Sequence, residues 1–152
     1  MKSLLSVSFL YTLLVLGIGG CVKDKDLVPL GSLGMPVSTV DPVQVFDSTG
    51  QKLLASGNFQ NGVHTVSGRV RLYGRNGKQT LVFENFRSDT GPDLRIYLAN
   101  DTQASTFTEV SLLTATGNFF VDVPSTITLS QQRYVLIWCK RFSVHFGNAE
   151  LK

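Results

Sequence analysis

The chain has 152 residues, with 14 Lys and Arg against 11 Asp and Glu and a formal charge of +3. Its basic residues are scattered (Arg69, Arg71, Arg75, Lys78, Arg87, Arg95, Arg133, Lys140, Arg141) instead of forming one face or stripe, which argues against a nucleic-acid partner. It holds only two cysteines, Cys21 and Cys139.

The first element is a targeting segment. Lys2 supplies a charged start, and Leu4 to Ile18 is an apolar run with a few small polar interruptions. The run ends Gly17-Ile18-Gly19-Gly20-Cys21. A charged n-region, a short apolar h-region and a small-residue cleavage site are the three parts of a secretory signal, and a spanning helix needs about 20 apolar residues, more than this run supplies. Ile18-Gly19-Gly20-Cys21 resembles a bacterial lipobox. Residues 1–20 are therefore expected to be a lipoprotein signal peptide. Cys21 is expected to be the lipidated first mature residue, carrying diacylglycerol and a further acyl chain of the palmitate kind. Two lipid signals already suffice for stable anchoring. The expected location is the bacterial cell envelope, lipid-anchored in the outer membrane on its periplasmic or surface side. The stretch Val22-Lys23-Asp24-Lys25-Asp26 loosely resembles the export signal that some Bacteroidetes-type bacteria place after the lipidated cysteine.

Residues 21–42 read as a linker. Between 27 and 42 three prolines and two glycines prevent any long regular element. The remainder, 43–152, is large enough for one domain with a core.

From residue 43 short apolar stretches alternate with turn residues, the pattern of β-strands. Val43 to Phe46 is a candidate first strand, and Leu53 to Phe59 a strand or short helical turn. His64 to Tyr73 is the clearest strand: Val66, Gly68, Val70 and Leu72 share one side, Arg69, Arg71 and Tyr73 the other. Asn76-Gly77 predicts a hairpin turn, since both residues tolerate positive φ, and Thr80 to Phe86 returns. Leu94 to Ala99, Phe107 to Leu113, Asn118 to Val123 and Ser125 to Ser130 are further candidates. Arg133 to Phe146 is a hydrophobic spine interrupted by Lys140-Arg141. Many short strands with turn-rich joints predict an all-β fold: an antiparallel β-sandwich, or alternatively a partly closed β-barrel.

The order Gly57-x-Phe59, His64 to Gly68, Phe83-x-x-Phe86, Gly91-Pro92-Asp93-Leu94-x-x-Tyr97-Leu98 and Val135-x-Ile137-Trp138-Cys139-x-x-Phe142-Ser143-Val144-x-Phe146-Gly147 resembles the DM13 domain over about Phe46 to Leu151. The resemblance implies an all-β, extracytoplasmic domain with a role in electron transfer or redox chemistry. The family's characteristic cysteine falls on Cys139.

Cys139 is thus the candidate redox residue. If Cys21 carries lipid, Cys139 has no intramolecular disulfide partner, and such a thiol is either buried and inert or kept for chemistry. A reactive thiolate needs exposure and positive neighbours. Arg141, Trp138, His145 and His64 are the candidates for its environment. Along a continuous strand Arg141 would lie about 7 Å away on the same side, and His145 about 20 Å away; a tight bend at Lys140-Arg141 would bring His145 closer. Gly91, Pro92 and Asp93 read as a structural turn that sets the entry to a strand. The acidic residues lack a calcium-loop spacing, and no metal site is expected. No hydrolase elbow, zinc-protease motif or phosphate loop occurs, so the residues name no catalytic set and no cofactor. Two functions follow. One is a lipid-anchored envelope domain with single-cysteine redox or electron-transfer chemistry. The other is a non-enzymatic adhesion or protein-interaction module in which Cys139 is structural. The expected partners are the membrane, through the N-terminal lipid, and a redox or envelope protein.

Overall fold

The computed structural model describes residues 38–39, 45–125 and 127–152. The expected signal peptide, Cys21 and most of the expected linker lie outside the described residues. All regular structure among the described residues is β: β1 (Ser38–Thr39), β2 (Lys52–Asn58), β3 (Gln60–Asn61), β4 (Val66–Arg75), β5 (Lys78–Ser88), β6 (Leu94–Ala99), β7 (Phe107–Leu112), β8 (Ala115–Val123), β9 (Tyr134–Cys139) and β10 (Val144–Glu150).

They form two five-stranded sheets, ordered β1-β8-β5-β4-β2 and β3-β10-β9-β6-β7. Every pairing is antiparallel except that of β1 with β8. The arrangement is a sandwich and not a closed barrel. Inward side chains of both sheets make one core, as two half-apolar sheets require. Its centre is aromatic. Phe83 stacks on Phe119 with ring centroids 4.4 Å apart, and Phe86 meets both edge-on. Phe59, the single residue between β2 and β3, places its ring against Phe83 and Phe86 as the chain crosses from one sheet to the other. Burying each such ring stabilises the fold by about 2–3 kcal/mol.

The hairpin turn at Asn76-Gly77 forms as expected, with φ of 50° and 76°. β4 has the expected inward set, Val66, Val70 and Leu72, but with a bulge. Gly68 sits in the bulge at φ 110°, where a Cβ would lie 2.7 Å from Phe86 Cα, so only glycine fits.

Three expected elements differ. Val45 and Phe46 are irregular, and Phe46 packs its ring on Tyr73 and Phe120 outside the first sheet; Val43 lies outside the described residues. Ser125 and residues 127–130 form turns, not a strand. Their alternation reflects only that Ile127 is buried while Thr128 is exposed. The spine from Arg133 to Phe146 is two strands, β9 and β10, folded back on each other through Lys140 to Ser143, with Ser143 at φ 53°.

Candidate functional site

β9 is the middle strand of the second sheet, between β6 and β10. Both of its faces are covered, which is why its sequence is apolar at every position. Val135, Ile137 and Cys139 point into the sandwich core. Tyr134, Leu136 and Trp138 point outward, into a smaller cluster with Tyr97, Ala99 and Ala104.

Cys139 is the last residue of β9 and is 1% exposed. It is flanked in register by Leu94 on β6 and Val144 on β10. The carbonyl of Asp93 accepts a 2.9 Å bond from the Lys140 N–H, tying the strand end to the loop before β6. Gly91 allows that loop to close: a Cβ there would lie 2.7 Å from Leu94 Cδ2 and 2.9 Å from Phe146 Cζ. The Gly91-Pro92-Asp93-Leu94 and Trp138-Cys139-x-x-Phe142 pieces, far apart in sequence, therefore meet around the thiol. At this turn Asp93 uses its backbone carbonyl as the acceptor. Its carboxylate accepts from Arg95 Nε at 2.6 Å.

The other residues expected near the thiol are distributed differently. Arg141 is in the exposed turn, with its guanidinium carbon 5.8 Å from the centre of the Phe142 ring. Phe142 itself is 59% exposed at the hairpin tip. Lys140 pairs with Glu109 at 2.9 Å. The turn brings His145 back opposite Trp138, one position from Cys139, instead of a strand's length away. The same turn puts His145 on the outer face with Trp138, so its expected shared side with Cys139 is corrected. Its ring centre is 6.2 Å from that of Trp138, and its Nε2 is buried without a partner. Burial holds the His145 pKa below the ordinary histidine value, with bonds to the Gly147 backbone and Asn148 opposing this. His64 stacks on Phe146 with centroids 3.9 Å apart, and its Nδ1 lies 3.6 Å from Asp89 Oδ2. Among the described residues no group of three or more His, Cys, Asp or Glu is placed to hold a metal ion.

The outer face of the second sheet carries a feature the sequence reading passed over. Tyr97 alternates along its strand with the apolar Leu94, Ile96 and Leu98, on the side of Arg95 and Ala99, yet it is 2% exposed and Ala99 is fully buried. Tyr97 stacks on Phe107 with centroids 4.3 Å apart and lies 6.3 Å from Trp138. A charged chain borders this row: Asp93 with Arg95, Arg95 with Glu109 at 2.8 Å, and Glu109 with Lys140. Burial is the main reason that the Tyr97 pKa stands above the ordinary tyrosine value, and the nearby Glu109 charge adds to it. The available signal was the run Tyr134 to Cys139, apolar on both parities, which marks a strand covered on both faces.

A shallow polar depression of about 260 Å³ lies elsewhere, lined by Ser56, Asn58, Gln60, Arg69, Glu150 and Lys152 among others. It does not include Cys139.

Searches among curated proteins and among solved structures give no match. The family described as electron transfer DM13 matches residues 58–151, more than half of the chain and the whole of the sandwich from β3 to β10. With its two diagnostic sequence pieces joined around Cys139, the chain belongs to the DM13 family, a family associated with electron transfer.

Proposed function

We propose that this chain is a lipid-anchored DM13 domain of the bacterial outer membrane, held through Cys21, that serves envelope electron transfer by presenting a docking surface, with Cys139 as part of its core. The membrane part of this reading is supported by Lys2, the Leu4 to Ile18 run and Ile18-Gly19-Gly20-Cys21. The observation that carries the rest is the 1% exposure of Cys139 among Val135, Ile137, Leu94 and Val144. Attack on an electrophile or a disulfide requires a thiolate that a partner can touch. A sulfur sealed among aliphatic side chains offers neither contact nor charge stabilisation, and free cysteine commonly acts as a small core hydrophobe.

A second reading has its own observation. Cys139 ends its strand, and the adjoining turn contains a non-glycine residue, Ser143, at positive φ. Opening of that hairpin would expose the thiol to a single-cysteine redox partner without unfolding the sandwich.

Alkylation of the full-length protein, read peptide by peptide so that Cys21 is scored separately, distinguishes the two. The docking-module reading expects Cys139 to stay unlabelled until denaturant reaches the unfolding transition measured by circular dichroism. Labelling well before that transition, with a pH midpoint below about 8.5, overturns it in favour of the redox thiol.

A further inference from the structure

We infer that Trp138 and Tyr97 form a one-electron relay on the outer face of the second sheet, with Trp138 as the entry point and Tyr97 as the shielded terminus. The inference rests on the family's electron-transfer association and deepens it, but it does not involve the thiol.

The argument starts from placement. Trp138 on β9 is partly exposed, so a soluble one-electron oxidant can reach its indole. Tyr97 on β6 is 2% exposed, so the same oxidant cannot easily reach its phenol. The two ring centres are 6.3 Å apart with planes 25° from parallel, within the range of interacting aromatic pairs. At such a separation electron exchange between rings is fast compared with diffusion. Phe107, stacked at 4.3 Å on the other side of Tyr97, is redox-inert and acts as its cover.

The charges suit a proton-coupled step. Glu109 lies directly opposite Tyr97 in the β6–β7 register, and Arg95 and Lys140 both bond to it. In the first step the oxidant takes one electron from Trp138 and the indole N–H proton leaves to water, giving a neutral indolyl radical and the reduced oxidant. In the second step the Tyr97 O–H supplies one electron to that radical and releases its proton to water, while the indole nitrogen regains one from water. Trp138 is restored and a tyrosyl radical remains at Tyr97. Neutral indolyl radicals oxidise phenols at neutral pH, so the second step runs toward Tyr97. The class of reactant required is an outer-sphere one-electron oxidant that docks over Trp138.

The relay is tested by laser photo-oxidation of the full-length protein with tris-bipyridine ruthenium(III), generated by flash and quench. Trp138 is the single tryptophan, so the indolyl absorption reports on it alone. The expected result is an indolyl signal that decays as a tyrosyl signal rises. Tyr97→Phe, which keeps the ring that packs the cluster, should abolish that rise and leave the indolyl radical long-lived. Tyr134→Phe, four residues and about 13 Å along the strand from Trp138, should leave both signals unchanged. An unaltered indolyl decay in Tyr97→Phe, loss of the tyrosyl signal in Tyr134→Phe, or no indolyl signal at all would each overturn the relay. Because the oxidant is inorganic, failure here leaves the Cys139 labelling result standing, and early labelling of Cys139 leaves the relay standing.

Discussion

At the scale of single residues, His145 is the group whose environment most directly predicts a measurable property. Its Nε2 is buried without a partner, and burial lowers its pKa from the ordinary value of 6.5. Protonation therefore favours the unfolded chain, in which the imidazole is free in water. Between the folded and unfolded pKa values the unfolded state binds more protons, so stability rises with pH there. The contribution is present above about 6.5 and is lost as pH falls through the lower folded value. His145→Gln should flatten the pH dependence of the urea midpoint between pH 7 and pH 5 relative to the parent. An unchanged slope would mean that His145 is hydrated in both states. Spacing alone could not place this residue. Whether His145 faces the core or the outside depends on four turn residues, Lys140 to Ser143, which flip the relation between strand parity and sheet face. The identity of Cys139 as the residue to watch was legible in the family pattern, whereas its burial depends on what β6 and β10 place beside it.

At the scale of elements, the junction of the loop before β6 with the end of β9 explains why two short sequence pieces travel together. Gly91 lets the loop sit against Leu94 and Phe146, and the Asp93 carbonyl then receives the Lys140 N–H. A methyl group at Gly91 meets two packed side chains below 3.0 Å, one of them an aromatic ring deep in the core. Gly91→Ala should therefore destabilise the protein by about 1–3 kcal/mol, the usual cost of overpacking. A loss of stability within experimental error in a denaturant titration would show that Leu94 rotates away freely. The strands themselves were largely legible. β4, β5 and the turn between them followed from alternation and Asn76-Gly77, because a sheet with one wet face writes its period into the sequence. β6 and β9 were harder. Tyr97 and Trp138 look like surface residues by alternation, but the outer face is covered by its own aromatic row. A covered face removes the polar half of the pattern that alternation relies on.

At the scale of the whole molecule, the sandwich was readable from strand number and turn density, and the absence of barrel closure was not, because no local signal distinguishes an open seam from a continuous ladder. The seam near the C-terminus is closed instead by two backbone bonds, Ser56 N–H to the Lys152 carbonyl and Lys152 N–H to the Ser56 carbonyl. The proposed membrane attachment also belongs to this scale. Cys21→Ser should abolish incorporation of labelled palmitate and move the protein from the membrane fraction to the soluble fraction. Retention of label in that variant would place the acyl group elsewhere.

The short parallel pairing of β1 with β8, Ser38 opposite Ala115 and Thr39 opposite Thr116, bears on that attachment. With Cys21 as the proposed lipidated residue, the first described pairing of the chain after it is at Ser38 and not at the start of β2. Seventeen residues can span at most about 60 Å, whereas the 31 residues from Cys21 to Lys52 would allow about 110 Å. If the proposed anchor is present, these two backbone pairings would nearly halve the greatest height to which the domain could rise above a bilayer, and with it the volume in which it could meet a partner.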